Sequence, residues 1–264
     1  MFKPTDHTFV VCAYGESPYL EACVQSLLNQ TMRTNVVVST STPNSYISEI
    51  AGRYGLNLFI NDGVPSISHD WNCALGHCST PLVTIAHQDD VYLPEYAANV
   101  LGALSEEEHP LICFTDYGEL RGERIADDSK LLNVKRMMLT PLKACKARTS
   151  RFIRRRILSF GSAICCPSVT YCLPNLPTPT FLGDMKCDLD WEAWERFSKL
   201  EGSFVYVPKI LMRHRIHEGS ETTALIEDDT RGREDLEMLK RFWPSSIARA
   251  INRFYARSQD SNAG

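Results

Sequence analysis

No segment of the chain approaches the roughly 20 consecutive apolar residues that a membrane-spanning helix requires. Met1-Phe2-Lys3-Pro4-Thr5-Asp6 carries no apolar stretch of the kind that opens a secretory signal. The chain is therefore expected in the cytoplasm, at most peripheral at the inner face of a membrane. Phosphate-binding fingerprints are also missing: there is no GxxxxGK[ST], and no GxGxxG follows the first apolar run. A GxSxG elbow is absent as well. These gaps exclude P-loop NTPases, NAD-dependent dehydrogenases and the common esterases. With 28 basic against 32 acidic residues and a net charge of -4, nothing resembles a nucleic-acid-binding surface, and no nucleic-acid partner is expected. None of the ten cysteines forms a CxxC pair, and several lie inside apolar runs such as Val10-Val11-Cys12 and Ile112-Cys113-Phe114. They read as reduced core thiols rather than zinc ligands or a disulfide scaffold.

What is present is a chain of 264 residues, 44% hydrophobic, without internal repeats or a linker rich in Gly, Ser or Pro. Its first 117 residues alternate between two periods. Phe9–Ala13, Asn35–Thr40, Leu56–Ile60, Leu82–Ala86 and Leu111–Thr115 read as strands. Between them, Leu20/Cys23/Val24/Leu27, Tyr46/Ile47/Ile50/Ala51, Ile67/Trp71/Ala74/Leu75 and, after Pro94, Tyr96/Val100/Leu101/Leu104 recur at helical spacing. This alternation predicts an α/β fold with a mostly parallel sheet and helices on both faces, whose ligands sit at the carboxyl ends of the strands. Residues 118–160 are less regular. A strand pair is expected over Ser162–Cys172, a helix around Trp191/Trp194/Phe197, strands at Phe204–Val207 and Ile210–His217, and C-terminal helices interrupted at Pro244.

Asp89 and Asp90 lie in His87-Gln88-Asp89-Asp90, directly after an apolar strand. Two carboxylates there repel each other and lose solvation, so a cation is a natural companion. Mg²⁺ or Mn²⁺ is typically held by one or two carboxylates plus substrate phosphates. An acidic pair at a turn is also an ordinary helix cap. Arg213-His214-Arg215-Ile216-His217 follows a strand, and it could supply an imidazole ligand and guanidinium groups facing phosphate. Strand alternation points His214 and Ile216 one way, Arg215 and His217 the other. Asp188 and Asp190 precede the tryptophan-rich helix; each is a helix cap or a general base.

Taken in order, these segments resemble the family 2 inverting glycosyltransferases, which adopt the GT-A fold. The resemblance rests on Phe9–Gly15, the helix ending Leu27-Leu28-Asn29-Gln30-Thr31, Asp70–Leu75, Ala86–Pro94, Leu189-Asp190-Trp191-Glu192 and the segment His214–Thr222. It spans about residues 7–223. It implies a nucleotide-sugar donor, with a UDP-sugar the best match, and Mn²⁺ or Mg²⁺ as the ion. Ala13, Tyr14, Gly15 and Glu16 would line the nucleotide pocket, together with Ser39, Gln88 and Arg215, and Asn72 would lie near the diphosphate or sugar. The acid that such enzymes often carry after the second strand is missing from Ser39-Thr40-Ser41-Thr42-Pro43-Asn44. Where the family usually has Asp-x-Asp-Asp, His87 replaces the first acid. Asp89 is then the expected metal ligand, with Asp90 in support and His217 completing the site. Asp190 matches the catalytic base and Asp188 is the second candidate.

The resemblance divides the chain into a nucleotide-sugar-binding half (1–117), an acceptor-binding and catalytic half (118–225) and a helical extension (226–264). It implies transfer to an acceptor hydroxyl, on a glycan or lipid-linked acceptor, in bacterial cell-surface glycan synthesis. Competing readings are a catalytically silent nucleotide-sugar-binding protein of the same fold and a sugar-phosphate nucleotidyltransferase. The Gly-rich, Arg-Lys loop of the latter is not found in Ala13–Pro18. The basic run from Lys143 to Arg156 is either a solvated face or a contact for anionic lipid headgroups.

Overall fold

The computed structural model of the protein describes residues 1–217 and 230–260. Strand β1 (His7–Ala13) is buried along its length and pairs in parallel with β2 (Asn35–Thr40), which carries β3 (Asn57–Ile60) on its far side. Strand β4 (Leu82–His87) lies parallel along the other edge of β1. Helices α1 (Leu20–Leu28), α2 (Ser45–Arg53), α3 (Ile67–Gly76) and α4 (Tyr96–Leu104) follow these strands. The period-2 pattern sorts the core. Phe9 and Val11 pack with Leu20, Val24, Leu27, Ile47 and Val100 on one face. Val10, Val83 and Ile85 pack with Ala74 and Leu75 on the other. Asn44, in the acid-free stretch after β2, caps α2 by accepting from the Ile47 N–H at 2.8 Å.

The remaining strands extend the sheet beyond β4. Strand β5 (Val91–Tyr92) is antiparallel to β9 (Ser203–Ile216), and β9 runs parallel to β6 (Pro110–Arg121). Strand β7 (Arg124–Ala126) closes a hairpin on β6, and β8 (Val169–Cys172) joins β4 to β6 by antiparallel pairing. The sheet order is β3-β2-β1-β4-β8-β6-β9-β5, with β7 off this path. Helix α8 (Leu189–Phe197) buries Trp191, Trp194 and Phe197 in the cluster that also takes Met238 and Leu239 of α9 (Thr230–Lys240). Helix α10 (Ser245–Asp260) follows Pro244, as the pattern anticipates.

Three sequence expectations differ from the structure. Strand β6 continues past Thr115 to Arg121, because Asp116 and Glu119 are satisfied within the fold: Tyr206 Oη donates to Asp116 Oδ1 at 2.6 Å and Arg121 Nε to Glu119 Oε2 at 3.1 Å. Within Ser162–Cys172 only β8 is a strand; Cys166-Pro167-Ser168 forms a 3-10 turn, where Pro167 needs no N–H partner. Phe204–Val207 and Ile210–Ile216 form one bulged strand, and Pro208 falls between the registers Thr115↔Val207 and Asp116↔Ile210. Beyond this irregularity β9 pairs with β5 and places His214–Ile216 beside the Asp89–Asp90 turn.

The irregular region 118–160 folds as the β6–β7 hairpin and three helices, α5 (Lys130–Leu139), α6 (Cys145–Arg148) and α7 (Arg151–Ile157). A β-carbon at Gly118 would stand 2.1 Å from Asp127 Oδ1, so only glycine lets the hairpin close on that carboxylate. No disulfide joins the described cysteines. No described helix is long and apolar enough to cross a membrane.

Candidate active site

The carboxyl ends of β1, β4 and β9 converge on the His87–Asp90 turn, which is closed by the Asp90 N–H donating to His87 O at 3.2 Å. Asp90 is fully buried. Its Oδ1 accepts from His214 Nδ1 and from the Arg215 N–H, each at 2.9 Å, while its Oδ2 is buried with no partner among the described residues. Burial opposes charge on His214, but Asp90 and Asp89 outweigh it and raise the imidazole above its ordinary value. Asp89 turns the other way. Its Oδ2 lies 3.0 Å from His217 Nε2, and its carbonyl accepts from Arg215 Nε at 2.8 Å. The ring of Tyr19 is flanked by Arg215 (4.3 Å) and His217 (5.1 Å), so these two share a side, as strand alternation anticipates.

Two ligands bound at a right angle, each about 2.1 Å from an octahedral ion, stand about 3.0 Å apart. The Asp89–His217 spacing fits a divalent ion in that sense. Among the described residues no three His, Cys, Asp or Glu side chains converge on one point. The pair therefore suits an ion that takes its other ligands from a diphosphate and water. Asp90 stands behind the pair and locks His214 and the β9 backbone in place. The end of the His214–Thr222 segment, from Glu218 onward, lies outside the described residues.

His87 stacks on Trp71 (centroids 5.3 Å apart, planes at 27°), and Trp71 meets Phe181 edge-on at 4.9 Å. Burial lowers the His87 pKa, despite Asp90 and Asp89, and favours a neutral imidazole whose buried Nε2 has no partner among the described residues. Asn72 is fully engaged with the Phe181 backbone: its Nδ2 donates to Phe181 O at 2.8 Å and its Oδ1 accepts from Phe181 N at 3.1 Å. It anchors the loop over Trp71. Gln88 exchanges two hydrogen bonds with the Tyr14 backbone, at 2.9 and 3.0 Å, and so ties the ends of β1 and β4 together. Gly15 takes a φ of 59° and donates its N–H to Thr42 Oγ1 at 2.8 Å. Tyr14 and Glu16 flank it; Tyr14 is exposed and Ala13 is buried in the sheet.

Ser39 is buried and donates to Asn61 Oδ1 at 2.8 Å. Asn61 Nδ2 in turn donates to Asp70 Oδ1 at 3.1 Å, and Ser41 Oγ to Asp70 Oδ2 at 3.0 Å. Asp70 of α3 thus stands beside the acid-free stretch after β2, a neighbour that no local pattern reveals.

Asp190 and Asp188 separate clearly. Asp190 Oδ1 accepts from the Trp191 N–H at 2.6 Å, and burial pushes its pKa up to about 6 against the pull of that bond, Lys135 and Arg231. Asp188 is buried, is hydrogen-bonded to Asp235 and is pushed up to about 9, first by burial and then by the charges of Asp235 and Asp190. It occupies the cap position of α8 without making a cap bond. Glu234 of α9 instead ties down the chain just before the helix, accepting from the N–H groups of Lys186, Cys187 and Asp188 at 2.7–3.1 Å. Near neutral pH Asp188 is protonated and Asp190 ionised, which makes Asp190 the better base. Burial first, and then the charges of Asp90 and Asp190, push the Cys165 thiol up. Lys135 donates to Tyr117 Oη at 2.8 Å. Tyr19, Tyr117, Lys135 and Glu234 lie beside these residues without any sequence signal, and Asp70 and Trp71 belong to the Asp70–Leu75 segment, which by itself gave them no role.

The basic run divides. Arg148 pairs with Glu107 at 2.7 Å, and Arg155 pairs with Glu195. Arg154 is buried beneath the run, donating to Leu200 O at 2.7 Å and lying 5.2 Å from the Phe204 ring centroid. Lys143, Lys146, Arg151 and Arg156 remain exposed.

Comparison with known proteins agrees with this architecture. The sequence model of glycosyl transferase family 2 matches residues 8–170, more than half of the chain. No curated protein sequence matches significantly. Among solved structures, S. aureus TarS (residues 1–349) in complex with UDP-GlcNAc superposes with a TM-score of 0.57 at 16% identity, covering 93% of this chain and 70% of that one. The mannosyltransferase PcManGT from Pyrobaculum calidifontis, bound to GDP-Man and Mn²⁺, gives 0.64 at 15% identity, covering 90% and 65%. Glucosyl-3-phosphoglycerate synthase from Mycobacterium tuberculosis, with Mn²⁺ and UDP-glucose, gives 0.55 at 12% identity, covering 89% and 79%. At these identities the likeness is one of fold.

Proposed function

Since the chain belongs to glycosyl transferase family 2 and is a glycosyltransferase, we propose that it moves a sugar from a nucleotide-diphosphate donor, best matched by a UDP-sugar, to an acceptor hydroxyl with inversion. The observation that carries this reading is the Asp89–His217 pair, 3.0 Å apart at the strand ends, with Asp190 in the first turn of α8 as the base. Asp89 and His217 would hold Mn²⁺ or Mg²⁺, which when bound supplies positive charge against the departing diphosphate. Arg215, held over Tyr19, adds a fixed cation on the same side. Asp190 accepts the proton from the acceptor hydroxyl as its oxygen attacks the anomeric carbon and the bond to the diphosphate breaks. Attack opposite the leaving group gives inversion in one step. Lys135 and Arg231 keep Asp190 ionised against its burial.

In this reading residues 1–117 bind donor, 118–225 position acceptor and base, and 226–264 support α8 through Glu234. The solved neighbours bound to UDP-GlcNAc, GDP-Man with Mn²⁺ and UDP-glucose with Mn²⁺ support a nucleotide-sugar donor and a divalent ion. The acceptor would be a glycan or a lipid-linked sugar of cell-surface polysaccharide synthesis, met at the inner membrane face. A thermal-shift screen of nucleotides and nucleotide sugars with Mn²⁺ tests the proposal. A melting temperature raised by one nucleoside diphosphate class only when metal is present is the expected outcome; no response to any of them refutes it.

One observation favours a second reading, a silent binding protein. His87 stands where the family usually has an acid, neutral and stacked on Trp71. Mn²⁺-dependent release of nucleoside diphosphate from the donor separates the two, because a silent protein releases none above buffer.

A further inference from the structure

The exposed side of α7 and the turn before α10 form a continuous cationic-aromatic surface that the catalytic chemistry does not use. The Arg156 guanidinium lies over the Phe152 ring at 5.6 Å and over the Trp243 ring at 4.8 Å, and Phe160 leans on Trp243 at 5.2 Å. Phe152 is 70% exposed, Phe160 45% and Ile247, four residues beyond Trp243, 44%. Isolated exposed apolar side chains need no explanation, but a linked group of them does. Charge has been sorted around this group. Segments 143–160 and 241–253 contain no Asp or Glu. Arg148 and Arg155 are neutralised by Glu107 and Glu195, both from outside these segments, and Arg154 is buried against Leu200 O. Lys143, Lys146, Arg151, Arg156 and Arg249 remain exposed.

We infer that this surface, centred on Phe152, Arg156, Phe160 and Trp243, docks on an anionic lipid bilayer. This deepens the membrane contact proposed above and rests on that reading, but places it on a particular face. Aromatic rings sit at the headgroup level of a bilayer, and each basic residue near an anionic surface contributes about 1 kcal/mol, about fivefold in binding. Phe152 and Phe160 enter the interface. Arg156 stays between rings with its charge toward the phosphates, which costs little ordering because the stack already holds it. Docking here would bring the enzyme to acceptors carried on the inner leaflet.

The test is co-sedimentation of the full chain with sucrose-loaded vesicles of phosphatidylcholine, with or without roughly 30% phosphatidylglycerol. Association with the anionic vesicles is expected, weakened at least about tenfold on pure phosphatidylcholine or on raising salt from about 0.1 M to 0.5 M. Phe152→Ser with Phe160→Ser should lower anionic-vesicle binding about tenfold or more, and Arg156→Gln about fivefold. Melting temperature and the Mn²⁺-dependent nucleotide response should stay at parental values, which keeps a failure of donor binding distinct from a failure of docking. No association with anionic vesicles, or association that the double substitution leaves unchanged, overturns the inference. So does a dimer in sedimentation velocity that the double substitution dissociates, since the surface would then bind a second copy of the chain.

Discussion

Replacing Glu234 by alanine should damage catalysis from a position that touches no substrate. Its carboxylate accepts four hydrogen bonds from three successive N–H groups, Lys186, Cys187 and Asp188, where the chain enters α8. Asp190 is the second residue of that helix. A hydrogen bond to a charged group contributes about 1.5–3 kcal/mol. The Lys186 end of the loop is exposed, so water recovers part of the loss. A net destabilisation of about 2–3 kcal/mol follows from the two less exposed bonds. Released from its clamp, the α8 entry no longer fixes Asp190, and a displacement of about 1 Å costs on the order of a hundredfold in rate. Denaturant melting and Mn²⁺-dependent nucleoside diphosphate release measure the two effects separately, while nucleotide affinity should hold. A Glu234→Ala variant with parental stability and parental turnover would refute the reasoning; so would one whose activity loss came entirely from weaker nucleotide binding.

Other substitutions test neighbouring parts of the account. Asp190→Asn should abolish transfer with donor binding nearly intact; in the parent, activity should fall as pH drops through about 6, where the base takes up its proton. Asp188 holds a proton in the folded state up to about pH 9 that the unfolded chain loses near 4, so its burial lowers stability as pH rises between those values, by up to about 1.4 kcal/mol per pH unit. Asp188→Asn should therefore gain stability over the parent progressively from pH 5 to pH 8 in thermal melts, and a constant difference would contradict the assignment. Gly118→Ala forces a β-carbon toward Asp127 Oδ1 and disturbs the Arg213–Asp127 pair, for a loss of about 1–3 kcal/mol in denaturant titration.

Much of the fold was legible because β1 to β4 and their helices obey simple periods. Phe9/Val11 and Val10/Cys12 sort to opposite faces, and the helices fill them. The second half was harder to read because its polar residues are satisfied over long separations: Asp116 by Tyr206, Arg154 by Leu200, Asn72 by Phe181. Asp89, Asp190 and His217 stood out because each lies at the end of an apolar element in a recognisable segment. Their supports did not. Gln88 reads locally as a pocket residue, yet its amide completes the Tyr14 backbone 74 positions away. Glu234 reads as one surface carboxylate among several, and only the packing of α9 beside α8 brings it to three backbone N–H donors. The seven basic residues from Lys143 to Arg156 looked alike, whereas the fold pairs or buries three and leaves four outside.

The central claim is that Asp89 and His217 act together on one divalent ion in the presence of a nucleoside diphosphate. Titration of Mn²⁺ into the chain with UDP, followed by electron paramagnetic resonance of the free ion, measures this directly. Asp89→Asn and His217→Gln should each weaken Mn²⁺ binding at least about tenfold, and together by clearly less than the product of the two, because the ligands serve one ion. Parental Mn²⁺ affinity in either single variant, or fully additive losses, would contradict a shared metal site.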